Sequence, residues 1–361
     1  MKFLIVKTSS LGDILHAFPA LAYLREKFPN AEIDWVVEKP FSQLLQSHPA
    51  IDDVFCIDTK KWRQMEGIGK VLKEIVATIF SLRKKKYDVV FDLQGNIKSG
   101  IVTFFTKGKC KVGFGRKSLA EWPNQLLFRG ERYNPSQDLT VRESLLYMMS
   151  THFSQEEMKV DFGKEQLLEI SDKERLWIKK LFSEKVLKGS LCVVVCPGSA
   201  WENKQMDIQA LINFLEKITA FNSFFLFVWG SEKEFSISKE IQEKITKGSY
   251  LMEKKLRLPV LQNVIAQADL LIGMDSLPLH LCGTTNTPSY SIFGPSMSSR
   301  YKPFGEKHEA FQGMCPYGKS FDTRCPILRT CATGACIKKL SGDEVFESFK
   351  KWWNRLLNLP S

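Results

Sequence analysis

The sequence predicts an α/β protein of two doubly wound domains, each a parallel sheet with helices on both faces. Two domains follow from the length, because 361 residues exceed the usual domain size of about 100–200 residues. Sheets and helices follow from two separate series in which strand-sized apolar runs alternate with helical apolar patterns. With 44% hydrophobic and 25% charged residues, the composition is that of a globular protein and excludes a wholly disordered chain.

The first series occupies the first third of the chain and predicts an N-terminal domain over residues 1–165. Apolar residues at helical spacing predict one helix over Asp13–Phe28, and a second helical stripe runs from Ile68 to Ile79. The predicted strands are Lys2–Val6, Ile33–Val37 and Asp88–Asp92. Since helices separate these strands, we expect them to pair in parallel.

The second series predicts a C-terminal domain, which together with a linker covers residues 166–340. The segment 134–189 is charged and lacks strand signals, so we interpret it as helices and a linker. Ile208–Ile218 has the apolar spacing of a helix. The predicted strands are Leu191–Cys196, Phe224–Val228, Asp269–Ile272 and Ser289–Phe293. We expect the two domains to face each other across a cleft, with ligands at the carboxyl ends of the strands.

Residues 341–361 predict a terminal helix that begins with the capping-box pattern Ser341-x-x-Glu344. The apolar stripe of this helix is Val345, Phe346, Phe349, Trp352, Trp353, Leu356 and Leu357. Packing against the body of the protein is the favoured interpretation. The alternative is a helix at a membrane surface, anchored by its aromatic and basic side chains.

Charge and cysteine content restrict the expected location and partners. The net charge of +11, from 51 Lys+Arg against 40 Asp+Glu, favours anionic partners. No zinc-finger spacing, RNP signature or basic leucine-zipper pattern occurs, so nucleic acid is not an expected partner. No apolar run approaches the roughly 18 residues of a membrane span, and the N-terminus does not resemble a signal peptide. We therefore expect a cytoplasmic protein whose nine cysteines are thiols or metal ligands.

The first candidate site is the segment 7–16, KTSSLGDILH, which follows a strand and opens a helix. Backbone N–H groups at such a junction can bind an anion, although neither a Walker A nor a GxGxxG pattern is present. Asp13 lies where a helix N-cap is expected, and capping alone explains an aspartate there. His16 lies one turn later, and a histidine in such a position is more often a packing residue than a catalytic one.

Two further strand-to-helix junctions lie in the second series. The segment 273–280, GMDSLPLH, places Ser276 and backbone N–H groups at a helix start, where they can hold a diphosphate. Simple capping by Asp275 or Ser276 explains the same residues equally well. The segment 197–204, PGSAWENK, places Lys204 just beyond a strand, either within reach of phosphates or in a solvated loop.

Four cysteines lie close together near the end of the chain, separated by nine, five and four residues. They are Cys315, Cys325, Cys331 and Cys336. Since these spacings are not the CxxC pairs of a zinc ribbon, the sequence supports a metal site only weakly. We therefore expect no metal, with these four cysteines as the one weak exception.

Taken together, these segments resemble the heptosyltransferases of glycosyltransferase family 9. The resemblance rests on segments 7–16 and 273–280, already described, and on three more that occur in the same order along the chain. These are DWVVE at 34–38, DLQGNIKS at 92–99 and FGPS at 293–296. The likeness extends from residue 1 to about residue 340.

The resemblance implies a GT-B fold, with an N-terminal acceptor domain and a C-terminal nucleotide-sugar domain. It implies inverting transfer of L-glycero-D-manno-heptose from ADP-heptose to a Kdo sugar of Kdo-lipid A, in lipopolysaccharide inner-core synthesis. No cofactor beyond the donor substrate is implied. The implied location is the cytoplasmic face of the inner membrane, where the protein binds peripherally to an anionic glycolipid surface.

The same resemblance implies roles for individual residues. Asp13 corresponds to the general base, and Lys204 to a lysine that neutralises donor phosphate. The other implied donor-binding residues are Ser199, Glu232, Asp275, Ser276, Leu277 and His280. The implied acceptor-binding residues are Ser10, Gly12, Lys60, Lys61, Arg63, Gln94 and Lys98. Leu277 departs from the family, which often has glycine there, and a side chain limits the approach of a phosphate to the backbone.

Two alternatives stay open at this point. One is heptosyltransferase II or another transferase of the family, with a different sugar or acceptor. The other is a non-catalytic protein that binds a nucleotide sugar or a lipid surface.

Overall fold

A computed structural model of the protein describes residues 1–64, 67–153, 166–245 and 248–358, without the side chains of Arg63 and Ile68. The chain divides into two compact units, Met1–Asp161 and Phe162–Ser361. Within the described ranges, no helix combines the length and apolar character that crossing a membrane requires.

The N-terminal unit contains a six-stranded parallel sheet and eight helices in the described residues. Its strands are β1 (Lys2–Val6), β2 (Glu32–Glu38), β3 (Asp53–Ile57), β4 (Lys86–Asp92), β5 (Lys107–Phe114) and β6 (Glu131–Tyr133). Its helices are α1 (Leu11–Leu15), α2 (Phe18–Lys27), α3 (Ser42–Gln46), α4 (Thr59–Gln64), α5 (Ile68–Leu82), α6 (Ile97–Phe105), α7 (Asn124–Leu127) and α8 (Val141–Phe153). The strand order is β3-β2-β1-β4-β5-β6, so the direction of winding reverses between β1 and β4.

The C-terminal unit repeats this topology. Its strands are β7 (Leu191–Cys196), β8 (Ser223–Phe227), β9 (Ser249–Leu251), β10 (Leu270–Met274), β11 (Ser289–Phe293) and β12 (His308–Gln312). Its helices are α9 (Asp172–Lys185), α10 (Ile208–Ile218), α11 (Glu232–Lys244), α12 (Leu258–Ala266), α13 (Leu277–Cys282), α14 (Ser298–Tyr301), α15 (Ala335–Lys338) and α16 (Gly342–Leu357). The order β9-β8-β7-β10-β11-β12 places the reversal between β7 and β10.

These reversals matter because ligands of doubly wound sheets bind where the strand order reverses, at the carboxyl ends of the strands. The sequence-predicted segment 7–16 follows β1, and segment 92–99 begins at the end of β4. Segment 197–204 follows β7, and segment 273–280 begins in β10. The four segments therefore lie at the two switch points.

Helix α16 packs in the core of the C-terminal unit. Val345 and Phe349 are fully buried, and Trp352 and Trp353 are nearly so. The Trp352 indole N–H donates to the carbonyl of Glu306 at 3.2 Å. The aromatic stripe therefore serves internal packing and not a membrane surface. Ser341 caps the helix by accepting from the N–H of Asp343 at 3.2 Å.

The predicted single helix over residues 13–28 is wrong, because the structure has two helices, α1 and α2. Pro19 is the second residue of α2. Proline has no N–H to donate to the carbonyl of Leu15, four residues earlier, so a continuous helix cannot form. Pro19 was visible in the sequence as a sign of a helix break, but the apolar spacing on both sides of it favoured a single helix.

Five strands were missed, and what they share is that few of their residues are buried. Strands β3, β6, β9 and β12 lie at sheet edges. Strand β5 lies inside its sheet but contains three lysines, and only two of its residues, Val112 and Gly113, are buried. Periodicity finds a strand when one or both faces are apolar, so such strands escape detection.

Candidate active site

The loop after β1 brings Asp13 to the start of α1. Ser10 is the N-cap of α1, and Asp13 is its third residue. Asp13 Oδ2 accepts from the backbone N–H of Ser10 at 3.0 Å and from its hydroxyl at 2.8 Å. This is the return half of a capping box, so the idea that Asp13 is itself the N-cap is wrong. The carboxylate is only half-buried, whereas His16 at the other end of α1 is buried.

Hydrogen bonds join the loops that follow β1 and β4. Gln94 Oε1 accepts from the backbone N–H groups of Thr8 and Ser9, at 3.2 Å each. The buried ammonium of Lys7 donates to the carbonyl of Leu93 at 2.9 Å. Side chains therefore fix the two loops of the N-terminal switch point relative to each other, and Gln94 acts as a brace for this loop.

A buried aspartate, Asp92, organises the second of these loops. Asp92 Oδ1 accepts from the N–H groups of Gln94 and Gly95 at 3.0 Å each. Burial lowers the pKa of the Lys7 ammonium, and the nearby carboxylates of Asp13 and Asp92 oppose this shift. A cation close to Asp13 favours its ionised form, which is the form that accepts a proton.

Glu38, at the end of β2, is a residue of this edge that sequence reasoning missed. Glu38 Oε1 accepts from the Lys98 ammonium at 2.7 Å and from the Thr59 hydroxyl at 2.5 Å. The ion pair between Glu38 and Lys98 holds Lys98, one of the implied acceptor-binding residues, at the carboxyl edge of the sheet. The available signal was an acidic residue at the end of a strand adjacent to β1.

The remaining implied acceptor residues have different surroundings. Gly12 lies within α1, beside Asp13. Lys60 is exposed on α4, while Lys61 Nζ lies 2.8 Å from Glu74 Oε1 and thereby connects α4 to α5. The side chain of Arg63 lies outside the described part of the structure.

In the C-terminal unit, Asp275 gathers side chains from several loops. Lys204 and Ser296 both donate to Asp275 Oδ2, and His280 Nε2 lies 3.5 Å from Oδ1. The Ser199 hydroxyl donates to the main-chain carbonyl of Asp275 at 3.3 Å. Lys204 is only 8% exposed and Asp275 only 6%. Four implied donor-binding residues thus come together at the β7/β10 switch point, with Ser296 as an addition.

The pKa of Asp275 lies well below its usual range. Burial by itself raises this pKa, but hydrogen bonding to His280 and the positive charge of Lys204 outweigh the burial. The carboxylate is therefore ionised at neutral pH and orients the Lys204 ammonium. A lysine has three N–H donors, so a bond to Asp275 leaves the ammonium able to bind an anion as well.

The start of α13 adds neutral donors to this site. Ser276 is the N-cap of α13, and Leu277 is its first residue. The Ser276 hydroxyl is buried without a hydrogen-bond partner. Backbone N–H groups in the first turn of a helix also have no partner within the helix. These donors lie next to Asp275 in sequence and suit a phosphate.

Glu234 is a second acidic residue near this site, besides the implied Glu232. Glu232 is exposed at the start of α11, whereas Glu234 Oε2 accepts from the N–H of Gly230 at 2.7 Å. A Cβ atom on Gly198 would lie 2.3 Å from Glu234 Cγ, so glycine is required in that turn. The overlooked signal was the Ser231-x-x-Glu234 capping pattern, in which Ser231 Oγ accepts from the Glu234 N–H at 3.3 Å.

Each switch point thus offers one kind of chemistry. The N-terminal edge holds a half-buried carboxylate, which suits removal of a proton from a hydroxyl group. The C-terminal edge holds a buried lysine, a serine hydroxyl and helix N–H groups, which suit a phosphate or diphosphate.

Comparison with known proteins extends these observations. A family model described as glycosyltransferase family 9 (heptosyltransferase) matches residues 75–330. Lipopolysaccharide heptosyltransferase 1 of Campylobacter coli is 28% identical over 316 residues, which cover 83% of this chain and 86% of the relative.

Solved structures match over both units. The E. coli heptosyltransferase WaaC with ADP has a TM-score of 0.76 at 20% identity, covering 98% of this chain and 100% of that chain. WaaC with ADP-2-deoxy-2-fluoro heptose has a TM-score of 0.75 at 20% identity, covering 97% of this chain and 99% of that chain. The likeness confirms the predicted GT-B fold.

Proposed function

Because the chain belongs to glycosyltransferase family 9, the heptosyltransferases, we propose that it is a lipopolysaccharide heptosyltransferase I. In this proposal it transfers L-glycero-D-manno-heptose from ADP-heptose to a Kdo sugar of Kdo-lipid A, with inversion at the anomeric carbon. The observation that carries the proposal is the buried group of Lys204, Asp275 and Ser276 at a switch point. The same chain has a relative named lipopolysaccharide heptosyltransferase 1, and the similarity to it covers 83% of this chain.

Inversion requires a single displacement, in which the acceptor hydroxyl attacks the anomeric carbon opposite the leaving diphosphate. The hydroxyl must lose its proton as the new bond forms, and one carboxylate base suffices for this. We assign that step to Asp13. The Ser10 capping box fixes the orientation of Asp13, and Gln94 fixes the loop that carries it.

The leaving ADP gains negative charge as the bond to heptose breaks. Lys204 and the N–H groups and hydroxyl at the start of α13 are placed to stabilise that charge. Asp275 is a positioning residue here, since its carboxylate is already occupied by side chains of this protein. Leu277 restricts the approach of a phosphate to the backbone, so we expect the Ser276 hydroxyl and Lys204 to contribute most.

An assay of the purified chain with ADP-heptose and Kdo-lipid A tests the function directly. Mass spectrometry should show addition of one heptose, and linkage analysis should place it on Kdo with inverted configuration. If product forms only with a heptosylated acceptor, the protein is a heptosyltransferase II. ADP binding without turnover on either acceptor would identify a non-catalytic nucleotide-sugar binder.

We expect transfer to proceed without a divalent metal, because a lysine and neutral N–H groups at the C-terminal site can balance the diphosphate charge. Initial rates measured with EDTA present should equal those measured without it. Complete inhibition that magnesium or manganese reverses would show that a metal ion is required for catalysis.

We infer which surface of the protein meets its lipid acceptor. The stripe predicted over Ile68–Ile79 is only partly covered, since Leu72 and Val76 of α5 are 54% and 59% exposed, and the adjacent Phe80 is 69% exposed. Further exposed apolar residues, on α6, are Ile97, Ile101 and Phe104. We call this set of six side chains the α5–α6 apolar face. Exposed basic residues on or beside α5 are Lys70, Lys73, Arg83 and Lys84.

An apolar face bordered by basic residues is the pattern of a peripheral membrane surface. We therefore propose that the protein binds the cytoplasmic face of the inner membrane through the α5–α6 apolar face. The C-terminal helix, which sequence reasoning considered for this role, is instead committed to the core.

Vesicle co-sedimentation tests this surface. The protein should bind vesicles rich in phosphatidylglycerol and dissociate as salt rises, because the Debye length falls from about 10 Å at 0.1 M to about 3 Å at 1 M. The triple variant Leu72→Ser, Val76→Ser, Phe80→Ser should reduce the bound fraction of protein about 10-fold or more. Each substitution removes the free energy gained when an apolar side chain moves from water into the membrane.

The matched control is Leu176→Ser, which removes an equally exposed apolar side chain, 69% exposed, from α9 of the other unit. It should bind vesicles like the unchanged protein. Equal binding by the triple variant, or binding that is indifferent to salt, would show that this surface is not the one that meets the membrane.

A further inference from the structure

A long segment with little regular structure connects β12 to α15. Residues 313–334, all of them described, contain no helix or strand apart from an isolated bridge between Arg324 and Ser296. Loops longer than about 12–15 residues without secondary structure are uncommon inside compact domains. The segment buries little apolar surface of its own: Leu328 is buried, whereas Met314 and Tyr317 are exposed. Some other interaction must therefore hold it in one conformation.

All four late cysteines face one pocket formed by this segment. Cys315, Cys325, Cys331 and Cys336 are all among the residues that line it. None of the four is in a disulfide. Their convergence is not apparent from the spacing, because Cys315 and Cys336 are brought together by the folding of the whole segment.

We propose that these four thiols bind one thiophilic divalent cation in a tetrahedral site that orders residues 313–338. Four cysteine sulfurs are a ligand set of closed structural sites for zinc, with metal–sulfur distances of about 2.3 Å. Ferrous iron has the same preference for soft thiolate ligands in such a site. Binding displaces the thiol protons to solvent, so the ligands are thiolates.

The surroundings of the sulfurs fit this assignment. The backbone N–H of Gly334 donates to Cys331 Sγ at 3.4 Å. Gly334 has φ of +58°, and a Cβ atom there would lie 2.7 Å from Asn203 Oδ1, so glycine is required.

In the described residues, two groups bring three candidate ligand atoms within 4.8 Å of one another, and the four late cysteines are not one of them. One, formed by Glu32, Asp34 and Asp53, already holds the Lys85 ammonium through three hydrogen bonds. The other is formed by Cys110, Glu131 and His152, where His152 and Tyr133 are hydrogen-bonded to Glu131. Neither offers four soft ligands. In the late segment, the irregular backbone can move the four sulfurs inward onto a cation.

A cation here also orders two loops of the donor site. Asn203, next to Lys204, donates to the carbonyls of Leu328 and Cys331 at 2.9 and 2.8 Å. The N–H of Cys325 donates to the carbonyl of Pro295 at 2.8 Å, next to Ser296. The segment thus braces the loops that carry two of the partners of Asp275, Lys204 and Ser296, although the metal site itself does not depend on the proposed function.

Metal analysis of the full-length chain, purified without a polyhistidine tag, tests the proposal. Elemental analysis should find about one zinc or iron per chain, and which of the two is found identifies the cation. Cys331→Ser and Cys336→Ser should each lower that content at least about 10-fold, since a closed site needs all four ligands. The control Cys56→Ser, an exposed cysteine of β3, should retain the metal.

A second measurement avoids dependence on variants that fold poorly. Cobalt(II) added to the unchanged protein, stripped of metal under reducing conditions, should give the intense visible bands and thiolate charge transfer of a tetrahedral sulfur site. Reconstitution with zinc should then protect residues 313–334 from limited proteolysis. A wild-type chain that is metal-free as purified and binds neither zinc, ferrous iron nor cobalt would overturn the proposal, as would full metal content in both serine variants.

Discussion

Asp13→Asn should reduce heptose transfer by about two to four orders of magnitude, the usual contribution of general base catalysis. That loss corresponds to about 3–5 kcal/mol of activation free energy. The variant should fold normally, because an asparagine side-chain oxygen can still accept from the Ser10 N–H as the Asp13 carboxylate does. Its affinity for ADP should also be unchanged, since the proposed donor residues all lie in the other unit. Turnover numbers, melting temperature and ADP titration of the same preparation separate these quantities.

Glu143→Gln is the matched control for this substitution. Glu143 is the third residue of α8 and accepts from the Thr140 N–H at 2.7 Å, which repeats the capping role of Asp13 in the same unit. It lies outside the switch-point loops, so its neutralisation should leave turnover intact. If Asp13→Asn behaves like Glu143→Gln, then Asp13 only caps α1, and the proton must be taken by another group.

The electrostatic surroundings of Asp13 have two opposite effects on its action as a base, which is why this test is informative. The Ser10 hydrogen bonds, the start of α1 and the nearby Lys7 all favour the ionised carboxylate. They keep Asp13 ready to accept a proton at neutral pH, but they also make it a weaker base. Its contribution must then come chiefly from orientation.

The sequence predicted the fold from local patterns that the structure confirms. Buried strands such as β1 and β7 were predicted with the observed bounds, because continuous apolar runs bounded by polar loops have few alternatives. The sites were predicted as four separate strand-to-helix junctions. That these junctions pair at β1/β4 and β7/β10 follows from strand order, which no local pattern encodes.

Other features depend on contacts between residues distant in sequence. Lys204 and Asp275 are 71 residues apart, and only the fold shows that they form a buried pair. Glu38 and Lys98 are likewise 60 residues apart. The stripes of α5 and α16 look alike in sequence. Leu72 and Val76 of α5 nevertheless remain more than half exposed, whereas Val345 and Phe349 of α16 are fully buried, because tertiary neighbours decide which residues are covered.

Lys204→Met should have the second large effect, and it should affect stability as well as donor binding. Methionine keeps most of the volume but leaves the buried Asp275 carboxylate without its cation. Removing one partner of a buried ion pair costs about 3–5 kcal/mol. For a unit of this size, each kcal/mol lowers the melting temperature by about 2–4 °C. ADP affinity should fall with it, because the lysine is proposed to contact the diphosphate before and during reaction.

The double variant Lys204→Met, Asp275→Asn separates the two effects. With both charges removed, no uncompensated buried charge is left, so much of the lost stability should return while ADP affinity stays low. The pKa of Asp275 is depressed in the folded state, so its contribution to stability is full above about pH 4 and declines only below that pH. Lys204→Met removes one of the groups that lower this pKa, so the pKa of Asp275 is higher in that variant than in the unchanged protein, and the stability gap to the double variant should narrow as the pH falls toward it.

Lys233→Met provides the matched surface control for the same loop region. Lys233 pairs with Glu202, which lies two residues before Lys204, but both side chains are more than half exposed. An exposed pair contributes about 0–1 kcal/mol, so this variant should melt within a few degrees of the unchanged protein and bind ADP normally. If Lys204→Met loses stability while keeping full ADP affinity, the lysine serves only to neutralise Asp275. The leaving phosphate must then rely on the Ser276 hydroxyl and the N–H groups at the start of α13.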